Sequence, residues 1–197
     1  MEKPMHETLC AVKLFDDILP PYRGTPVADL LAYHNLETPW RTYTRAELIV
    51  GMCMDHRKAL RIPDNFAYVL RAAGANLRRI DFDLAYAVAI GGVRTLALIG
   101  HAQCGMVRLA RQREDFVRGL AKHGGWTLDG ARDYFDRNAP SLDIADSAKF
   151  VCSEARRLRK RFPSLQVAPL MYCTADRAIC QIVEGADPLP AANGGAQ

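Results

Sequence analysis

A chain of 197 residues, 49% hydrophobic and carrying a net charge of +4, is long enough to bury one core and short for two domains. Its mildly basic balance permits contact with anions but lacks the large basic field, interleaved with aromatics, that nucleic-acid binding uses. Six scattered cysteines exclude a disulfide scaffold. No apolar run approaches the roughly 18 residues of a membrane span, and no secretory apolar region opens the sequence. The expectation is a soluble protein of a reducing compartment, the cytoplasm.

Residues 5–19 place Leu9, Val12, Phe15 and Ile18-Leu19 at helical spacing, which predicts an amphipathic N-terminal helix. Pro20-Pro21 stops it. Thr25-Pro26 reads as the N-cap and first residue of a short helix through Leu30, Leu31 and Tyr33. Leu48–Cys53 is predicted to be a buried strand and residues 66–70 a second, with a loop over 62–65 between them. A helix over 83–90, ended by Gly91-Gly92, leads at once into a third strand over 94–99. Strand, helix and strand at this spacing form a βαβ unit with parallel strands. Helices are then expected from Cys104 to about residue 122, ended by Gly124-Gly125, and over 127–138. A long one begins at Ser141 or Asp143 and is stopped at Pro163. Gln166–Tyr172 and residues 178–183 flank Thr174-Ala175-Asp176-Arg177 and read as an antiparallel hairpin. Residues 186–197 are small, polar and rich in Gly and Pro, the composition of a flexible tail. The expectation is one α/β domain over 1–197: a mostly parallel central sheet flanked by helices, with an antiparallel C-terminal strand. A helical arm over about 5–35 precedes it.

The chemistry sits at two strand ends. Cys53-Met54-Asp55-His56-Arg57 leaves the first strand, and extended backbone would put Cys53, Asp55 and Arg57 on one face, Met54 and His56 on the other. Gly100-His101-Ala102-Gln103-Cys104-Gly105 leaves the third. Open α/β sheets bind ligands beyond the carboxyl ends of their strands. Cys53, His101 and Cys104 there make a zinc-binding set of three, which leaves one position open, as catalytic zinc sites do. Asp55 could accept a hydrogen bond from a metal-bound water, with Arg57 gripping the carboxylate in a fork of N–H bonds. A helix opening at Gly105 would offer backbone N–H groups to the Cys104 sulfur, and Gly100 would let the turn tighten. Ordinary turn roles for both glycines remain open.

The C-x-D-x-R element, the H-x-x-C element and Arg71-Ala72-Ala73-Gly74 between them resemble the β-class carbonic anhydrases. The resemblance runs from about residue 49 to 106, and more faintly over 167–183. It implies zinc held by Cys53, His101 and Cys104, and reversible hydration of carbon dioxide to bicarbonate by zinc-bound hydroxide. Asp55 and Arg57 would be the catalytic dyad that orients it. It implies a homodimer or dimer of dimers, with N-terminal helices packed on the neighbour; packing over their own core is the other reading. It also implies a second state in which Asp55 ligates the metal, and the sequence does not choose between the two. Two other activities suit the same residues: a zinc hydrolase of carbonyl sulfide or carbon disulfide, and a non-catalytic zinc-stabilised interaction protein. Neither a nucleic acid nor a membrane is expected as partner.

The chain departs from the family at several points. Ala72 replaces a usual Asn, with Asn76 a displaced candidate, and Gln103 stands where Asp or a small polar residue is frequent. Val50 occupies the position of a Trp found in bicarbonate-regulated members. Cys10, Cys152, Cys173 and Cys180 have apolar neighbours and read as core residues. His34 and His123 are candidate proton relays. Arg108, Arg111 and Arg113 could face the site or solvent, and the basic run over 156–161 lies near a helix C-terminus, where cations complement the dipole.

Overall fold

The computed structural model describes residues 8–184, so the expected tail over 186–197 lies outside the described residues. Six strands form one sheet: β1 (Thr8–Cys10), β2 (Leu48–Cys53), β3 (Ala67–Ala72), β4 (Thr95–His101), β5 (Gln166–Tyr172) and β6 (Ile179–Val183). Their order is β1-β6-β5-β4-β2-β3. β3, β2, β4 and β5 are parallel, while β6 pairs antiparallel with β5 and with β1. Five α-helices accompany them: α1 (Pro26–Asn35), α2 (Asp81–Ala89), α3 (Arg113–Gly124), α4 (Leu128–Asn138) and α5 (Ser147–Arg161).

The alternation of side chains along each strand divides the core in two. Leu48, Val50 and Met52 of β2, Ala97 and Ile99 of β4, and Ala168 and Leu170 of β5 meet Leu30 and Leu31 of α1 on one face. Ile49, Leu96, Leu98 and Val167 meet Leu84 of α2 and Val151, Ala155 and Leu158 of α5 on the other. β2 and β4 are fully buried along their length, which explains their unbroken apolar runs.

This topology has a consequence for the site. From β2 the chain adds β3 on one side and then crosses to add β4 on the other. The order reverses between β2 and β4, and such a switch point opens a crevice at the carboxyl ends of the two strands. Cys53 and His101 are the last residues of those two strands.

Several elements differ from the sequence expectation. The helix expected over 5–19 is not formed among the described residues. β1 occupies the sheet edge there, followed by single 3-10 turns at Phe15–Asp17 and Pro20–Tyr22. Val12, Ile18 and Tyr22 are buried in the chain's own core, whereas Leu9 and Phe15 of the same supposed stripe are exposed. Pairing of β1 with β6 satisfies backbone groups that a short exposed helix would leave to water. The helix expected from Cys104 begins only at Arg113, after a 3-10 turn at Leu109–Gln112. Residues 106–110 are held instead by a distant segment. Arg108 N–H donates to Ile144 O at 2.9 Å and Ile144 N–H to Met106 O at 3.0 Å, and the Asp143 carboxylate accepts from the N–H groups of Leu109 and Ala110. α5 likewise starts later than Ser141 or Asp143, with Asp146 as its N-cap accepting from Lys149 N–H. The Thr25 cap, the Gly125 stop and the terminal hairpin form as expected, and the helix expected over 127–138 forms as α4 with Thr127 as its N-cap.

Candidate metal centre

β2 delivers Cys53, and the turn after β4 delivers His101 and Cys104. Their three ligand atoms lie within 4.8 Å of one another, and all three residues are buried. The sulfurs of Cys53 and Cys104 are 3.9 Å apart. Two corners of a tetrahedron with 2.3 Å zinc–sulfur arms are about 3.8 Å apart. His101 Nδ1 lies 2.7 Å from Ala102 O, so Nδ1 carries the proton and Nε2 presents its lone pair. That Nε2 is buried and has no hydrogen-bond partner. Two soft sulfurs and one oriented imidazole, with an orphaned buried nitrogen among them, fit a zinc ion.

The electrostatics prepare the sulfurs. The hydrogen bond from Cys104 pulls the Cys53 thiol down to about 3, against burial and with help from His101 and the backbone N–H groups of Asp55 and Gly74. The same bond, together with burial, pushes Cys104 up, while the Met106 N–H opposes it. The two sulfurs thus titrate as a pair, one favouring the thiolate and the other resisting it. The N–H groups come from tight turns. No helix opens at Gly105, and the expected helix-end stabilisation of Cys104 is replaced by the single N–H of Met106. Gly100 also has a different reason from the one expected. It lies inside β4, and a Cβ there would stand 2.6 Å from Val151 of α5 and 3.0 Å from the Met171 sulfur. It is small to let α5 approach. The αL residue that turns the chain from His101 to Cys104 is Gln103, with φ +55°.

Asp55 lies beyond the strand, in the turn that follows, with 14% of its side chain exposed. Arg57 binds it through Nε at 3.0 and 3.2 Å, Nη2 at 2.6 Å and the backbone N–H at 2.9 Å. Arg57 is itself fixed by donating to Gln103 O at 3.2 Å. This fork, joined by Lys58, holds the Asp55 carboxyl well below the usual carboxylate range. Asp55 Oδ2 stands 3.9 Å from His101 Nε2, beside the three ligand atoms but outside their set. The strict strand alternation expected for 53–57 fails because β2 ends at Cys53; even so, Met54 and His56 point to solvent.

Three further residues shape the centre. Lys58 is buried, and its Nζ sits 2.7 Å from Asp55 Oδ2. Arg71, at the end of β3, donates to Cys53 O at 3.2 Å and to Lys58 O at 3.0 Å, tying the 53–58 turn to the sheet. Gly74, with φ +64°, supplies an N–H to the Cys53 sulfur. In sequence, Arg71 and Gly74 belong to the Arg71-Ala72-Ala73-Gly74 element, and Lys58 follows Arg57 directly; its burial is a tertiary fact with no local signal. Asn76 makes no contact with the site turns: it caps the 3-10 turn Leu77–Ile80 and donates to Ser141 O. The candidate relay His34 is fully engaged, with Nδ1 accepting from Arg61 N–H and Nε2 donating to Arg177 O. Arg113 ties α3 to Asp136 of α4. In the basic run, Arg157 and Arg161 pair with Asp81, and Arg156 and Arg159 with Glu184.

Two cavities flank the centre. One, about 660 Å³, is lined by Met54, Met106, Leu109, Phe116, Tyr134 and Phe135 among others, between the site turns and the α3–α4 hairpin. The other, about 570 Å³, is polar and includes Arg57, Arg61 and Arg177. No described helix is long and apolar enough to cross a membrane.

An α/β chain whose parallel sheet carries a Cys-His-Cys cluster at its switch point has the fold of the β-carbonic anhydrases, as solved structures bear out. A β-carbonic anhydrase of Trichomonas vaginalis superposes with a TM-score of 0.61 at 17% identity, over 77% of this chain and 91% of that one. Carbonic anhydrase from Glaciozyma antarctica gives 0.57 at 18% identity, over 86% and 96%. The apo form of a carbon disulfide hydrolase gives 0.53 at 14% identity, over 87% and 92%. No family model matches the sequence, and no curated protein matches it. At such identities the likeness is one of fold.

Proposed function

We propose that this chain is a zinc-dependent carbonic anhydrase, interconverting carbon dioxide and bicarbonate. The observation that carries the reading is the ligand set beside a pinned carboxylate: Cys53, His101 and Cys104 with their donor atoms converged, and Asp55 3.9 Å from His101 Nε2 in the grip of Arg57. Zinc, when bound, acts as a Lewis acid that makes water a nucleophile near neutral pH. Two thiolates offset its charge, so activity rises toward alkaline pH.

Asp55 and Arg57 do the orienting. The carboxylate stays ionised and acceptor-only, so it takes a hydrogen bond from the attacking water and aims its lone pair. The Arg57 fork fixes the carboxylate's rotation. The apolar cavity behind Met54 and Met106 suits a small uncharged substrate, and the arginine-lined cavity suits a departing anion. Six free thiols among the described residues fit a reducing compartment such as the cytoplasm, and a homodimer or dimer of dimers is the expected assembly.

The apolar cavity and the likeness to a carbon disulfide hydrolase keep carbon disulfide and carbonyl sulfide as rival substrates. Stopped-flow hydration of carbon dioxide across about pH 7 to 9, on protein of measured zinc content, tests the proposal. Zinc near one per chain, activity rising with pH, and loss in Asp55→Asn and Cys104→Ser support it. Full zinc with no hydration at any pH, or turnover of the sulfur compounds alone, overturns it.

A further inference from the structure

Lys58 is the residue of this centre that the orienting dyad does not account for. Its side chain is 1% exposed, a rare condition for a lysine. Its Nζ lies 2.7 Å from Asp55 Oδ2, off the directions a hydrogen bond needs, and finds no hydrogen-bond partner. The contact is therefore an ion pair with donors left over. Arg57 grips the same carboxylate from the solvent side through its fork of N–H bonds, with 45% of its side chain exposed. The Lys58 contact is the buried one, and a buried ion pair is costly to break by taking one partner away. The backbone supports it: Arg71 holds Lys58 O and Cys53 O together, so ammonium and first ligand are set by one clamp.

Charge balance leads to the same place. A divalent ion would cancel two thiolates, and the single Asp55 carboxylate, shared by Arg57 and Lys58, would leave one positive charge over at the centre. An anion there restores neutrality. If Asp55 turned to ligate the metal instead, Lys58 would lose its buried ion-pair partner, a costly outcome.

We propose that Lys58 is a positioning residue that holds Asp55 off the metal, and that by doing so it keeps the fourth coordination position open to small anions. This deepens the zinc-site proposal and rests on it, but it does not depend on which substrate is turned over.

The test uses cobalt-substituted full-length protein with azide as the anion, read by the visible absorption of the metal, and zinc affinity read by chelator competition. Removing the ammonium with Lys58→Met frees Asp55 to ligate. Azide binding is expected to weaken about tenfold or more, and zinc to be held severalfold more tightly. Both changes are expected to vanish when Lys58→Met is made in an Asp55→Asn background, because no carboxylate is left to close the site. Lys58→Gln keeps the stem and a polar end, and serves equally where Lys58→Met does not fold. Azide and zinc affinities unchanged by either substitution, or changed equally with and without the Asp55 carboxylate, would overturn the proposal. So would wild-type protein that takes up no cobalt. Wild type that binds cobalt and azide yet hydrates no carbon dioxide would sink the carbonic anhydrase reading alone, and the two failures are thereby distinguished.

Discussion

Arg71 touches neither the metal position nor the dyad, yet it joins Cys53 O to Lys58 O. Outer groups that orient ligands commonly govern about 10–100-fold in metal affinity. Arg71→Met is therefore expected to loosen zinc by about that factor, measured by chelator competition, with the fold retained by circular dichroism. An unchanged affinity would show that the turn holds its shape without the clamp. His34 gives a pH prediction. Burial holds it below its usual value near 6.5, and its Nδ1 must stay unprotonated to accept from Arg61 N–H. The unfolded chain takes up that proton first as pH falls. Stability from His34 is thus complete above about 6.5 and is lost as pH drops through the folded value, with a slope no steeper than about 1.4 kcal/mol per pH unit. Urea midpoints at pH 7.5 and 5.0 should differ in wild type and differ less in His34→Gln. At this scale the convergence of Cys53, His101 and Cys104 was legible because their types and strand-end positions are local facts. Lys58 was not, because its chemistry comes from burial against Asp55, and burial is set by elements far along the chain.

Elements were legible where local chemistry decides them and illegible where a distant partner does. β2, β4 and β5 announce themselves by unbroken apolar runs, and α1 by the Thr25 cap. The N-terminal stripe of Leu9, Val12, Phe15 and Ile18 mimics a helix, but β6, more than 160 residues on, takes residues 8–10 into the sheet. The stretch after Cys104 looks helical until Asp143 and Ile144 claim its N–H and C=O groups. Gly100 shows how tightly one of these elements is seated. α5 lies so close to β4 that a Cβ at Gly100 meets Val151 at 2.6 Å, and neither atom is the tip of a long flexible chain. Gly100→Ala is expected to cost about 1–3 kcal/mol, the usual penalty of overpacking, read by urea unfolding. It should also displace His101, one residue further along β4, so zinc affinity should fall in step. A neutral substitution would mean that α5 shifts outward freely.

At the scale of the whole molecule, one side of the sheet is unfinished. β3 is an edge strand with Tyr68 and Val69 exposed, and beside it Phe82 and Tyr86 of α2 and Ile90 just past its end face solvent, Phe82 at 80% and Ile90 at 70% exposure. Folded monomers rarely leave an unpaired strand edge next to a cluster of large apolar side chains. Tyr68 packs against Gly91 just past α2, so strand and helix form one continuous face. A second copy related by a two-fold axis would cover this face with the same face, as isologous dimers do. An interface of standard size, about 800 Å² per partner, needs large side chains of this kind at its centre. Phe82→Asp with Tyr86→Glu would put two like charges against their own symmetry mates and is expected to give monomers in analytical ultracentrifugation where the wild type sediments as a dimer. Because Cys53, His101 and Cys104, with Asp55, Arg57 and Lys58, all come from one chain, the proposed zinc content is expected to survive in the monomer. Loss of zinc on dissociation would mean that the partner shapes the centre; wild type that sediments as a monomer would rule out the two-fold pairing.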